Sequence, residues 1–154
     1  MHPVTIIDTW AAALHASDAV AAFCLAHGFN RPTIYKGIDV EQLLDDSAYP
    51  IVVLSYRGVT TGKGEMDKVI TLELVVGLYS TDPPEVIDNV ITLAYFDLLE
   101  EYRRAALSAV ASCSTGGYLA SIDTEIVPVD GGFYLAAMDI IVVCPYAARD
   151  DQIL

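Results

Sequence analysis

Two residues of the first predicted helix have the spacing of metal ligands. Cys24 and His27 lie three positions apart, and His15 or Cys113 could complete a site if the fold brought them close. Two ligands at helical spacing are not a zinc motif, and no paired Cys/His motif completes the set. Cys24 is better interpreted as a small core residue. We therefore expect neither a metal site nor a cofactor.

Adjacent carboxylates are the second candidate for chemistry, at positions 45–46, 100–101 and 150–151. Side chains next to each other on a helix point in different directions, which disfavours paired acid–base action. With 21 acidic residues in the chain, such pairs also arise from composition alone. A Ser-His-Asp triad is equally disfavoured, because all three histidines precede Gly28 and no Gly-x-Ser-x-Gly motif is present. The sequence predicts no catalytic residues and no enzyme.

A Gly-Lys pair lies in the stretch Thr-Thr-Gly-Lys-Gly at positions 60–64. It lacks the spacing of a phosphate-binding loop and precedes a predicted strand, whereas such a loop precedes a helix. We interpret it as a hairpin loop. Arg57, Lys63 and Lys68 place three of the chain's eight basic residues in or beside it. This local basic group either docks an acidic neighbour or keeps the hairpin tip soluble.

The composition excludes several classes of protein. The chain has 154 residues, 54% of them hydrophobic, with a formal charge of −13. An acidic surface without a Lys/Arg cluster disfavours tight nucleic-acid binding, although it suits a channel through which DNA slides. The longest uncharged run is interrupted by Ser, Thr and Gly, so we expect no membrane span. Three widely spaced cysteines and no signal peptide indicate folding in a reducing cytoplasm.

Hydrophobic periodicity predicts the elements of the first half of the chain. Apolar residues recur at three- and four-residue steps over residues 4–27, which predicts one helix ended by Gly28. Its predicted buried face includes Ile7, Trp10, Leu14, Ala21 and Leu25. A short edge strand is predicted at residues 31–35, followed by an irregular acidic segment at 37–49 with one helical turn at 40–44.

Two long hairpins are predicted around a second helix. The first hairpin joins residues 50–57 to a strand at 69–79, and the second joins 124–129 to 133–145 through Asp-Gly-Gly. Between them, Thr-Asp-Pro-Pro-Glu at positions 81–85 predicts a helix start. An apolar stripe is expected to continue that helix, through Ile87, Val90, Ile91, Ala94, Leu98 and Tyr102.

The last predicted strand is apolar on both faces. Tyr134, Ala136 and Met138 belong to one face, and Leu135, Ala137 and Ile141 to the other. Either the strand is central in the sheet with both sides covered, or its second face meets another subunit. We therefore predict Leu135, Ala137 and Ile141 as intersubunit surface, and Arg57, Lys63 and Lys68 as a docking element.

These elements predict an α+β fold in one domain over residues 1–154. Two long helices are expected to pack on a mixed, mainly antiparallel sheet of two hairpins, in the order α-β-β-β-α-β-β. The apolar fraction and a mean hydropathy of +0.45 exceed what a core of this size requires, as in a subunit of an assembly.

This element order, with Asp-Ser-Ala-Tyr-Pro-Ile-Val-Val-Leu at positions 46–54, resembles the tail terminator proteins of long-tailed bacteriophages and prophages. The most similar pieces are residues 49–57, the strand 71–76 with the segment 81–85 that follows it, and the final hairpin 126–143. The acidic segment 37–46 and the tail Ile153-Leu154 have no clear counterpart in that family.

The resemblance implies a structural protein of the virion, made in the bacterial host cytoplasm. Such a subunit forms a hexameric ring at the head-proximal end of the tail tube, ends tube polymerisation and joins the tail to the head connector. Its implied partners are its own copies, the tail tube protein and the connector, with DNA passing through the lumen without specific binding. Two alternatives stay open: another head–tail joining or tail-completion protein of the neck, and a small cytoplasmic ligand-binding domain.

Overall fold

A computed structural model describes residues 2–37, 45–61, 67–93, 95–113, 117–129 and 131–145. Over these residues the chain forms helices α1 (Pro3–Ala16) and α2 (Asp18–Ala26), strands β1 (Thr33–Lys36), β2 (Ile51–Thr61), β3 (Asp67–Tyr79), β4 (Glu85–Ile87) and β5 (Val90–Thr92), helix α3 (Phe96–Ala111), and strands β6 (Tyr118–Val129) and β7 (Phe133–Pro145). A short 3-10 turn at Asp46–Ala48 precedes β2.

The main sheet has five strands in the order β1-β2-β3-β7-β6. β1 pairs in parallel with β2, and all other neighbours in this sheet pair antiparallel. The two predicted hairpins are therefore present as β2–β3 and β6–β7, and they join through the β3–β7 pair. The prediction of an α+β fold with a mixed, mainly antiparallel sheet is confirmed, as is the short edge strand β1.

The hydrophobic core lies between the three described helices and one face of the sheet. Alternation along β3 and β7 places a continuous set of fully buried side chains on that face: Ile70, Leu72, Leu74, Val76, Leu78, Ala136, Met138, Ile140 and Val142. Trp10 of α1, Phe23 of α2 and Tyr102 of α3 pack against them. Apolar residues alternate in the sequence from Ile70 to Leu78, which predicts this face of β3 as core, and the burial confirms it.

The prediction of one helix over residues 4–27 is wrong in its continuity. Ser17 ends α1 and caps α2, where its hydroxyl accepts a hydrogen bond from the backbone N–H of Val20. The two helices meet at an angle of 47°. The break changes the helical phase, so that α2 buries Val20, Phe23 and Cys24, whereas Leu25 of the predicted stripe is 84% exposed.

The predicted start of the second helix at residues 81–85 is also wrong. β4 and β5 form a small separate hairpin there, and α3 begins only at Phe96. Asp88 and Asn89 adopt positive φ angles of 50° and 66°, which is the geometry of a tight two-residue hairpin turn. The residues on both sides of the turn are mostly β-branched and favour strands. A hairpin therefore forms here, although the apolar residues also have helical spacing.

The predicted helical turn at residues 40–44 lies outside the described residues. Immediately after it, Asp45 caps the 3-10 turn through a hydrogen bond from the backbone N–H of Ser47. No single helix in the described part of the chain is long and apolar enough to span a membrane. The bent pair of α1 and α2 meets that criterion only when the two are counted together, by length and composition.

Candidate functional site on the open face of the sheet

The helices cover one side of the main sheet, and the side turned away from them is called the open face here. Strand alternation and register place ten side chains in its centre: Ile51, Val53, Glu73, Val75, Glu125, Val127, Leu135, Ala137, Asp139 and Ile141. None of these side chains belongs to the core cluster formed with the helices. The open face therefore offers a second, partly apolar surface.

One end of the open face has a small hydrophobic cluster of its own. Ile51, Val53 and Leu135 are buried there, with Tyr49 and Val127 packed against them. Burial raises the pKa of Tyr49 to about 12. Leu135 lies opposite Gly77, where an added Cβ would stand 2.6 Å from the Leu135 Cδ2 atom. The sheet and the segment Ala48–Tyr49 thus pack this end closely, and none of α1, α2 and α3 contributes to the cluster.

A charged group occupies the middle of the open face. Arg57 lies at a bulge in β2, where the register with β3 shifts between Tyr56 and Gly58. From this position its guanidinium donates a hydrogen bond to the carboxylate of Glu73 on β3. The hydrogen bond to Glu73 and then the charges of Glu73 and Asp139 raise the pKa of Arg57.

Two further carboxylates stand beside this ion pair. Glu73 is opposite Asp139 on β7, and Asp139 is opposite Asp123 on β6. The Oδ1 atom of Asp139 lies 3.5 Å from Nε of Arg57. That distance qualifies as an ion pair, but no hydrogen-bond donor from the described residues reaches this buried oxygen. This oxygen thus has only the ion-pair contact with Arg57 among the described residues.

A shallow cleft of about 220 Å³ joins the apolar and charged parts of the open face. Its lining consists of Val53, Arg57, Glu73, Val75, Glu125, Val127, Leu135 and Ala137. The apolar floor and charged wall suit a side chain inserted by another protein. The titratable side chains of the lining are Arg57, Glu73 and Glu125, and Glu73 is held in the ion pair with Arg57.

The structure brings together three of the six residues predicted from the sequence. Arg57, Leu135 and Ala137 line the same cleft, and Ile141 lies on the same face, two positions beyond Asp139 on β7. Lys68 does not join them, because it is almost buried and lies on the helix side of β3. Lys63 lies outside the described residues. The assignment of these residues to an interface stays a prediction.

Sequence reasoning missed the acidic half of this site, formed by Glu73, Glu125 and Asp139. The alternation of β3 and β7 assigned Glu73 and Asp139 to the second face, but adjacent positions on different strands cannot be recognised without the register. Alternation with Ile51 and Val53 is enough to place Arg57 on the same face, but its contact with Glu73 depends on the pairing of β2 with β3.

Several of the residues weighed above as metal ligands or catalytic groups are buried in the core or paired with side chains of α3. Cys24 is buried, and desolvation raises the pKa of its thiol. The Nε2 atom of His27 lies 3.2 Å from Oε2 of Glu101 on α3. Glu100 pairs with Arg103 and Arg104. Within the described ranges, no group of three or more His, Cys, Asp or Glu side chains is placed to hold a metal ion; residues 150–151 fall outside those ranges.

Comparison with known proteins adds no assignment to this geometry. No known protein family and no curated protein sequence matches the chain. A functional assignment therefore depends on the geometry and charge of the open face and its cleft.

Proposed function

We propose that this protein is a structural subunit of a larger assembly, which meets other subunits through the open face of its sheet. The observation that carries the proposal is the central strand β7, whose second face is apolar except at Asp139 and has no helix above it among the described residues. Sheets with both faces apolar are normally covered on both sides. A second protein layer is the natural cover for Ala137 and Ile141, which are only half-buried beside the buried Leu135.

The narrower form of the proposal is a tail terminator of a long-tailed phage. In this role the protein forms a hexameric ring at the head-proximal end of the tail tube, ends tube polymerisation and joins the tail to the head connector. The resemblance of residues 49–57 and of the final hairpin 126–143 supports this choice, and so does the charge of −13, which keeps the wall of a lumen from holding DNA phosphates. The protein is then a virion component rather than an enzyme.

Negative-stain electron microscopy over a range of protein concentrations, with and without a few millimolar magnesium, tests the self-assembly. Closed rings with a central pore are the expected result. Addition of the rings to polymerising tail tube protein is expected to shorten the tubes. A chain that remains monomeric in every condition, alone and with tube protein, would exclude the terminator role.

A matched pair of variants tests the open face itself. Ile141→Asp places a carboxylate on the half-buried open face, whereas Leu25→Asp makes the same kind of change on α2, where the side chain is already 84% exposed. The first variant is expected to lose binding to its partner subunits and the second to keep it. Equal binding by both variants would remove the open face from the assembly.

A second candidate function is favoured by a different surface. A groove of about 500 Å³ between α1, β1 and β2 is lined by Val4, Ile7, Asp8, Lys36, Gly37, Ser55 and Tyr56. Its volume is within the range of small-molecule sites, which suits the alternative of a ligand-binding domain. Thermal-shift screening of Lys36→Ala against the wild type separates the two functions, because only a ligand-binding domain would show ligand shifts that depend on Lys36.

A further inference from the structure

The hairpin formed by β4 and β5 is an apolar projection. Val86 pairs with Ile91, and Ile87 pairs with Val90, on opposite faces of the ribbon. All four side chains are between 59% and 68% exposed. Beyond isolated contacts, no other described helix or strand packs on the hairpin. A two-stranded hairpin without packing is marginally stable in water, so a cover for it is required.

The apolar surface continues from this hairpin into the start of α3. Leu93 and Phe96 are 51% and 67% exposed, next to the end of β5. With the four hairpin residues they make six large apolar side chains, each more than half exposed, within residues 86–96. Exposed apolar side chains concentrated in this way on a protein surface mark interaction sites.

A second uncovered surface lies on the helix side of β6. Ile122 is opposite Ile140, and Ile126 is opposite Ala136, both of which face the core. α3 packs over β3 and β7, but no described helix packs closely over β6. Ile122 and Ile126 are consequently 38% and 56% exposed, although their neighbours on β7 are fully buried.

One side of α3 forms a wall along this strip. The Nη1 atom of Arg103 lies 3.8 Å from Sδ of Met138, and Met138 is opposite Thr124 on β6. Leu107, four residues after Arg103, shares that side of the helix. The other side of α3 faces α2, where Tyr102 stacks on Phe23. We call the surface formed by Ile122, Thr124, Ile126, Arg103 and Leu107 the β6 shelf.

We propose that the β4–β5 hairpin of one copy of this protein packs on the β6 shelf of a second copy. Both surfaces are apolar, both lack a cover among the described residues, and each chain carries both. β6 is also the outermost strand of the sheet, so its free backbone edge can pair with an added strand. Two different patches that fit each other on successive copies build a ring when the rotation closes.

The charges around the two surfaces allow the same contact. The hairpin carries Glu85 and Asp88 and no basic residue. Beside the shelf, Arg103 and Arg104 both pair with Glu100, and with Asp97 one turn earlier the charges on this side of α3 sum to zero. In a chain with a net charge of −13, this region is one of the few that does not repel an acidic hairpin. The inference rests on the proposed function in that copies of the chain associate.

Threonine substitutions test the contact without loss of β-branched shape. The hairpin variant carries Val86→Thr and Ile91→Thr, and the shelf variant carries Ile122→Thr and Ile126→Thr. Val59→Thr is the matched control, because Val59 is an exposed strand residue on β2. Far-UV circular dichroism verifies the fold. In sedimentation velocity, each double variant is expected to weaken self-association at least about tenfold, with no change in the control.

A mixture of the two defective variants gives the decisive measurement. The hairpin variant retains an intact shelf, and the shelf variant retains an intact hairpin, so an equimolar mixture can form one intact contact per pair. The mixture is expected to form dimers and nothing larger. A mixture that stays monomeric, although each variant folds, would overturn the contact.

The outcomes also separate this inference from the proposed function. Rings that persist unchanged in the hairpin variant would overturn the inference and leave the ring function standing. Open chains of copies that depend on hairpin and shelf but never close into rings would support the inference and count against the ring. If the wild-type chain stays monomeric at every concentration, a second copy does not bind the shelf and the inference is overturned.

Discussion

The guanidinium of Arg57, at the bulge of β2, donates a hydrogen bond to the carboxylate of Glu73 on the neighbouring strand. The two side chains differ greatly in exposure, with 58% of the Arg57 side chain accessible but only 10% of that of Glu73. Arg57 thus brings a positive charge to an almost buried carboxylate that has Asp139 as its cross-strand neighbour. Loss of Arg57 and loss of the Glu73 charge should therefore differ in their effect on stability.

Removal of Arg57 is expected to destabilise the protein more than neutralisation of Glu73. Arg57→Ala leaves the carboxylate of Glu73 nearly buried and unpaired, whereas Glu73→Gln leaves an arginine that water can solvate. The double variant is expected to be more stable than Arg57→Ala alone. Urea denaturation of the three variants measures this order, and a double variant less stable than both single variants would contradict it.

A side chain added at Gly77 is expected to disturb the cluster at the end of the open face. Its Cβ would stand 2.6 Å from Leu135, 2.8 Å from Tyr49 and 2.9 Å from Ile51, closer than real contacts allow. Gly77→Ala should cost about 1–3 kcal/mol of unfolding free energy through overpacking. Gly58→Ala is the control, since nothing lies within 4 Å of its Cβ. Equal stabilities of the two variants would mean that this end of the face is loosely packed.

The hydroxyl of Tyr102 is expected to contribute to stability through one hydrogen bond. It donates to the backbone carbonyl of Ile51 at 2.9 Å in the buried core, and burial raises the pKa of Tyr102 well above its ordinary value. Tyr102→Phe leaves the carbonyl without this donor and should cost about 1–2 kcal/mol. Tyr118→Phe, at an exposed position, should cost almost nothing. Urea midpoints followed by the fluorescence of Trp10 distinguish the two.

The stabilising effect of Glu100 is expected to disappear in acid. Hydrogen bonds from Arg103 lower the pKa of Glu100 most. Burial opposes this shift, whereas the charge of Arg103 and the hydrogen bond and charge of Arg104 add to it, so that the pKa falls from 4.5 to about 2 in the folded protein. A carboxyl with a depressed pKa stabilises the fold above its unfolded pKa and loses that effect as the pH falls through its folded pKa. Glu100→Gln should therefore cost about 0.5 kcal/mol at neutral pH, the size of a surface pair.

The pH dependence of that cost is the sharper measurement. The difference in unfolding free energy between wild type and Glu100→Gln should shrink as the pH falls from about 4.5 to about 2. A difference that stays constant over this interval would assign the effect of the substitution to packing and not to charge.

Self-assembly is expected to require screening of charge. Six copies at −13 each carry −78, and their mutual repulsion falls as salt shortens the Debye length. Rings or smaller oligomers should therefore increase with ionic strength or with a few millimolar magnesium. Light scattering after size exclusion gives the mass, and a mass that does not change from low to high salt would show that repulsion does not limit assembly.

Local periodicity identified the strands of the main sheet, although β6 begins at Tyr118 and not at the predicted residue 124, but it did not predict the path of the chain between residues 80 and 96. The alternation along β3 identified its buried face from Ile70 to Leu78, because a strand repeats every two residues whatever its neighbours are. In the segment of β4 and β5, the apolar residues have a spacing that fits a helix as well as two short strands. The positive φ angles of Asp88 and Asn89 resolve that ambiguity in favour of a hairpin.

The sequence by itself determined the α+β class, the two long hairpins and the acidic charge of the chain. These properties follow from composition and from periods of two or three to four residues, which are local. Only the tertiary structure decided the break at Ser17, the order of the strands and the face of β7 that the helices cover. It also paired Arg57 with Glu73 and buried Lys68 on the opposite side of the sheet. Such relationships depend on strand register and packing between distant segments, which no local pattern encodes.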